Sequence, residues 1–226
     1  MKKLNLNFNI DWKSKAIDLL IVIVGISIAF KLNTWNESAK TDLQVKDYIQ
    51  SFYEENNANL SNLTSALEFS QSIKNDIDSL KQILLSKNYS DERIKKLVSS
   101  MMAIANYSPS IITMDNIKAS GEFELIKDLD LRKQLISTYD GHNTTLKIES
   151  LLLEYINKYV TPFFFENIRF SDFGSLNSDF IKDPLFENIV FGYDVLLGQQ
   201  INSYQDNLEK IKLLNEKLTA TKPKQN

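Results

Sequence analysis

The chain contains no cysteine. That removes disulfides, thiol nucleophiles, thiolate metal sites and the lipidated cysteine of a lipoprotein. Histidine is nearly as scarce, with His142 alone. A histidine-based triad therefore has one candidate base, and no nucleophile elbow accompanies it. His142 sits between Gly141 and Asn143 on a polar stretch of helix, so the sequence predicts a surface histidine rather than a general base. No phosphate loop, dinucleotide-binding glycine pattern or HExxH zinc motif occurs. Asp172, Asp179 and Asp183 share one region but lack the spacing and glycine of a calcium loop, and they read as turn formers and caps. No cofactor, metal site or catalytic residue is expected, and the chain is not expected to be an enzyme.

Glycine and proline are sparse, and neither occurs from Ile26 to Ser108. Strand-like alternation is absent as well. Net charge is only −3. Residues 1–36 carry five Lys and two Asp, which leaves the remainder mildly acidic. Nothing in this distribution forms a basic footprint for nucleic acid.

Against these absences stands one apolar stretch, Ala16 to Leu32, AIDLLIVIVGISIAFKL. Its uninterrupted core, Leu19 to Phe30, is short of the ~20 residues that span a bilayer. The flanks extend it, because Lys15 and Lys31 can carry their ammonium groups to the headgroups along apolar stems. Trp12 and Trp35 lie ~34 Å apart along a helix, where an interfacial aromatic belt would place them. The competing readings are a cleaved signal peptide and a buried core helix. No small-x-small cleavage site follows Phe30, and nothing else in the sequence is apolar enough to surround such a helix.

Lys2, Lys3, Lys13 and Lys15 precede the stretch, against Asp11 alone. The positive-inside rule then predicts a cytoplasmic N-terminus and a translocated remainder, which is periplasm in a Gram-negative cell. The expected organisation is a cytoplasmic tail over 1–15, a transmembrane anchor over 16–36, a periplasmic helical domain over 37–218 and a flexible tail over 219–226.

Within the anchor, Asp18, Val22, Gly25 and Ala29 share one helical face. Gly25 and Ala29 form a small-x-x-x-small pair that lets a second helix approach closely. Three readings of Asp18 stand side by side: an interfacial carboxylate paired with Lys15, a hydrogen-bonding group at a helix–helix contact, or a proton site in an energised complex.

Beyond the anchor, Val45, Ile49, Phe52, Leu60, Leu63, Leu67, Ile73, Ile77, Leu80 and Leu84 mark a helical stripe to about Ser86, with Asn56 and Ser70 as polar interruptions. Lys87 to Ser90 breaks it. A second helix is expected from a Ser90 cap to about Tyr107. A short helix from a Thr113 cap to Gly121, a single turn over Glu122 to Ile126 and a long helix from Leu131 to about Tyr159 follow. Pro162 is expected to end that long helix. Thr161 to Asp183 reads as irregular and rich in phenylalanine, including Phe173 and Phe180. There Phe163, Phe164, Phe165 and Phe170 are either a plug between helices or an exposed patch for a partner. A last helix starts at Asp183, with Pro184 in its first turn, and runs to about Leu218.

Two segments carry a resemblance. Asp18, Val24-Gly25-Ile26 and Asn33-Thr34-Trp35-Asn36-Glu37 form the first. Ser120-Gly121 through Ile126, followed by Leu131-Arg132 and Leu135, form the second. Together they resemble a Bacteroidota family of uncharacterised single-pass inner-membrane proteins, with an acidic residue early in the span, an Ile-Gly-Ile step, an Asn-x-Trp-Asn-Glu exit and a Ser-Gly-x-x-x-x-Ile turn. Here Asp18 stands where that family more often has glutamate, and Lys31 where it often has glutamine. The resemblance implies a helix-rich domain behind one anchor and no activity.

The expected fold is all-α, a transmembrane helix continuing into an antiparallel helical bundle. The expected function is that of an accessory or scaffold subunit, with the bilayer and another membrane protein or a second copy as partners. A ligand-sensing helical domain that signals through a membrane partner is the alternative.

Overall fold

The computed structural model describes residues 12–172, 174–177 and 179–221. Lys2, Lys3, Asp11, Phe173 and residues 222–226 of the tail lie outside the described residues. The class is all-α. The long helices are α1 (Trp12–Ser86), α4 (Leu129–Tyr155) and α6 (Pro184–Thr221). Shorter ones are α2 (Ile94–Ser99), α3 (Ile112–Ala119) and α5 (Thr161–Asn167). A two-residue antiparallel hairpin, β1 (Ile168–Arg169) and β2 (Gly174–Ser175), follows α5.

The chain divides into two units, Met1–Asp47 and Tyr48–Asn226. In the first, the described residues of α1 up to Lys40 are exposed throughout. The second has its own core.

That core follows a strict spacing. Counting from Ile49, buried residues of α1 fall at Phe52, Asn56, Asn59, Leu63, Ala66, Ser70, Ile73, Ile77, Leu80 and Leu84, in alternating steps of three and four, with Ile83 buried beside the last of them. On α6 the series Phe186, Val190, Tyr193, Leu197, Gln200, Tyr204, Asn207, Ile211, Leu214, Leu218 repeats it. On α4 the series is Leu131, Leu135, Thr138, His142, Thr145, half-buried Glu149 and Leu152, continued by Ile156. A 3.5-residue period is that of knobs-into-holes packing. Asn56 Nδ2 donates to the Ile211 carbonyl at 2.9 Å, and Lys74 Nζ lies 3.1 Å from Asp194 Oδ1. Thr145 Oγ1 meets Ser203 Oγ at 3.1 Å, and Tyr155 Oη donates to the Ile189 carbonyl at 3.1 Å. Both sets of pairings run in opposite chain directions, so α6 is antiparallel to α1 and to α4.

Several expected boundaries move. Ser90 caps no helix. Asp91 instead accepts from the backbone N–H of Arg93 at 2.9 Å and from its guanidinium at 3.0 and 2.8 Å. This local turn delays α2 to Ile94, and α2 ends in a 3-10 turn at Met102 rather than near Tyr107. Helix α3 begins at Ile112, so Thr113 lies inside its first turn. Gly121 has the expected left-handed backbone, φ 74°. Asp128 caps α4, accepting from the N–H groups of Asp130 and Leu131.

Pro162 does not stop the chain from coiling. A π-helical turn over Ile156–Val160 precedes it, and α5 carries Pro162 in its first turn. Proline has no N–H and crowds the carbonyl four residues back. A widened turn relieves that crowding, and the missing donor costs nothing at a helix start.

Candidate functional site

The centre of the second unit is polar. Three successive core positions of α4 carry Thr138, His142 and Thr145, with Glu149 next in the series. Facing them are Asn59 and half-buried Glu55 from α1, Gln200, Tyr204 and Asn207 from α6, and Tyr107 from the segment between α2 and α3.

His142 is 0% exposed, which corrects its reading as a surface residue. The reason is helical phase: it stands seven residues beyond Leu135 and ten before Leu152. Its Nδ1 lies 2.8 Å from Tyr107 Oη and 3.1 Å from Asn207 Nδ2. The rings of Tyr107 and Tyr139 pack on it at 5.7 and 5.4 Å between centroids. Nε2 has no hydrogen-bond partner among the described residues. Burial therefore pushes the imidazole down from its ordinary 6.5 to about 4, and the ring is neutral at pH 7. Tyr107, Tyr139 and Tyr204 are all pushed up, burial being the first cause in each. Burial likewise raises Glu149, against the opposing effect of hydrogen bonds from Tyr204 and the Tyr107 N–H.

Two carboxylates and an amide hold the non-helical stretch before α3. Asn59 donates to the Ser110 carbonyl and accepts from the Ser110 N–H, both at 2.8 Å. Glu55 accepts from Ser110 Oγ at 3.0 Å, from the Thr113 N–H at 2.9 Å and from the Tyr139 hydroxyl. Glu149 accepts from the Tyr107 N–H at 3.0 Å and from the Tyr204 hydroxyl. A non-helical stretch without strand partners must satisfy its peptide groups elsewhere, and these side chains do so at Tyr107 and Ser110. The chemistry of the cluster is thus hydrogen bonding. A buried polar position in a heptad series fixes register, and this core has several.

The other predicted residues lie elsewhere. Asp18, Val22, Gly25 and Ala29 are exposed on α1, and a Cβ at Gly25 would meet nothing within 4 Å. Trp12, Lys15, Lys31 and Trp35 are exposed too. Among the described residues no ion pair joins Asp18 to Lys15, which was one of the three readings of that carboxylate. An 18-residue window of this helix has a mean hydropathy of 2.0 with none of it buried, which makes it the one candidate membrane span among the described residues. Its hydroxyls are satisfied internally: Ser27 Oγ donates to the Ile23 carbonyl at 2.7 Å and Thr34 Oγ1 to the Phe30 carbonyl at 2.9 Å, as a helix in lipid requires.

The phenylalanine patch divides. Phe163 and Phe164 are 5% and 0% exposed and belong to the core with Phe180 and Phe186, so they are no part of a partner surface. Phe165 and Phe170, 67% and 39% exposed, pack on each other at 4.9 Å. Consecutive residues on α5 point to different sides, which is why one run supplies both plug and surface.

A groove between α4 and α6 adjoins the polar layers. Gly141 and Asn207 both line it, and a Cβ on Gly141 would stand 2.4 Å from Asn207 Oδ1. Glycine is therefore what allows the two helices this approach. A second hollow, about 310 Å³, lies at the other end of the unit. It is walled by Val98, Ile168, Phe180 and Ile181 and rimmed by Tyr89, Glu92 and Lys95.

No protein-family model, no curated protein and no solved structure matches the chain.

Proposed function

We propose that this chain is a bacterial inner-membrane protein with a cytoplasmic N-terminus, whose periplasmic helical domain serves as a non-catalytic scaffold for partner proteins. One observation carries the reading. An apolar helical segment with none of its length buried belongs to the same chain as a unit with a closed core. Burying apolar surface is worth roughly 25 cal/mol per Å², so a helix left bare by its own chain is stabilised by lipid. Lys2, Lys3, Lys13 and Lys15 before it support the orientation. The resemblance of the Asp18 to Glu37 segment to single-pass inner-membrane proteins supports the location. His142 is shut between Tyr107, Tyr139 and Asn207, and burial keeps the Tyr107 hydroxyl beside it protonated, which supports a structural use of the one imidazole.

Full-length protein is expected to resist carbonate extraction from membranes, and deletion of residues 1–36 to release the remainder into the soluble fraction. An alkaline phosphatase joined to Asn226 is expected to be active. A mature form that begins after residue 36, read by intact mass, would establish a signal peptide instead. Mild-detergent purification is expected to yield a stoichiometric companion by mass spectrometry; a lone monomer argues against the scaffold.

The partner contact in the bilayer is assigned to the face of Asp18, Val22, Gly25 and Ala29. Gly25→Leu is expected to lower recovery of the companion about tenfold, since a bulky residue blocks close helix approach. Asp18→Asn preserves a hydrogen-bonding group and should leave recovery within about twofold, whereas loss with Asp18→Asn would point to the proton-site reading.

The ligand-sensing alternative is favoured by the 310 Å³ hollow with four apolar walls, a shape that small ligands prefer. A thermal-shift screen of apolar metabolites separates the two readings, because stabilisation lost on Phe180→Ser would support sensing.

A further inference from the structure

We infer that the groove between α4 and α6 binds a small zwitterion of the α-amino acid type. The groove holds about 300 Å³, the low end of the range for small-molecule sites. One wall is a polar stripe along α6, Gln199, Asn202, Ser203, Asp206 and Lys210. Thr144 and Ile148 of α4 face it, with Gly141 and Asn207 at its floor.

Ser203 of this stripe is bonded to Thr145 at 3.1 Å, and its other four residues are unspent. Lys210 and Asp206 are one helical turn apart, the spacing at which opposite charges usually pair. Yet neither has an ion-pair partner among the described residues, although Lys74 and Asp78 at the same spacing do pair. The Lys210 stem lies against the floor, with its Cδ 3.3 Å from where a Gly141 Cβ would stand. The amides of Gln199 and Asn202 make no hydrogen bond among the described residues.

The floor is built and buried. Asn207 is 1% exposed. One of its amide atoms is held by His142, and the other, Oδ1, has no partner among the described residues. A buried amide with spare capacity beside a concave wall of free amides is costly unless something uses it.

The charge pattern names the ligand class. One free cation and one free anion, a turn apart among neutral donors and acceptors, match a molecule that carries a carboxylate and an ammonium on one carbon. The carboxylate meets Lys210, the ammonium meets Asp206, and the side chain lies along Gln199, Asn202 and Thr144. A monoanion or a monocation would leave one of the two protein charges unanswered. This inference stands apart from the scaffold reading, since it concerns a face that needs no membrane partner.

The test uses full-length protein in detergent micelles. The twenty L-amino acids are titrated singly by calorimetry, and the best binder is then compared with its C-terminal amide and its N-acetyl derivative. One-to-one binding is expected, weakened about ten- to a hundredfold by either blocking group, as for hydrogen bonds to charged groups. In Lys210→Met the free acid and the amide should bind equally. In Asp206→Asn the free amine and the N-acetyl form should bind equally. Both positions are at the surface of α6, and an unchanged melting temperature of the ligand-free variants excludes misfolding. No heat with any amino acid at millimolar concentration overturns the proposal. So does binding that both variants leave unaltered.

Discussion

Acidification from pH 7 to pH 4 is expected to remove about 3 kcal/mol of stability from the helical domain through His142 alone. In the unfolded chain this imidazole takes up its proton near 6.5; in the folded protein burial holds it neutral down to about 4. Between those values the unfolded state binds more protons, so stability falls with pH at up to about 1.4 kcal/mol per unit. The contribution is whole above about pH 6.5 and is lost progressively as pH falls to about 4. Tyr107, Tyr139 and Asn207 surround the ring, and none supplies a negative charge that would ease protonation.

Glu149 acts in the opposite sense. Burial raises its carboxyl above the ordinary range, so its protonation favours the folded state as pH falls. His142→Gln separates the two, because it keeps a hydrogen-bonding group for Tyr107 and removes the titration. Urea melts followed by tyrosine near-UV dichroism should then lose their slope between pH 6.5 and 4.5, or reverse it. A variant with the native slope would show that His142 does not set it. Tryptophan fluorescence cannot serve, because both tryptophans, Trp12 and Trp35, lie in the first unit.

The second large effect is expected at Asn59. Asn59→Ala leaves both peptide groups of half-buried Ser110 without their partner, and an unpaired group costs about 1–3 kcal/mol when fully buried and less when half-buried. About 2 kcal/mol of stability should be lost. Hydrogen exchange should localise the change, with the Ser110 amide exchanging about a hundredfold faster while amides at Leu197 and Ile77 report only the global loss. Glu55→Gln should cost less, since an amide oxygen still accepts from the Thr113 N–H. An Asn59→Ala protein within 1 kcal/mol of wild type would mean that water takes over both groups.

How much of this was visible in the residues depends on whether apolar side chains carried the signal. The stripe on α1 is legible because Ile, Leu and Phe recur at helical spacing with no glycine or proline in the way, and the start of α6 because Asp183 and Pro184 mark a first turn. Helix α4 is the opposite case. Its buried face passes through Thr138, His142, Thr145 and Glu149, and a polarity pattern assigns such residues to solvent. Extending the phase from Leu131 and Leu135 to Leu152 and Ile156 would have placed His142 inside. The cost of a buried imidazole argues against that extension until its partners are known, and Tyr107 and Asn207 are 35 and 65 positions away.

Glycines inside helices were likewise ambiguous. Gly192 proves to be the floor under Tyr155, whose Oη would lie 2.2 Å from any Cβ there. Proline misleads where a π turn makes room for it, as before Pro162. The face of Asp18 and Gly25 is readable as a surface, and it is exposed in the structure.

The interleaved amides have a mechanical corollary. Were α6 to creep by seven residues along α1, Asn56 would trade the Ile211 carbonyl and Asn215 for the level of Tyr204 and Leu208, or of Leu218. Neither level offers Asn56 a side-chain amide to replace Asn215. Sliding of α6 along α1 by one heptad is therefore opposed by the loss of both Asn56 bonds.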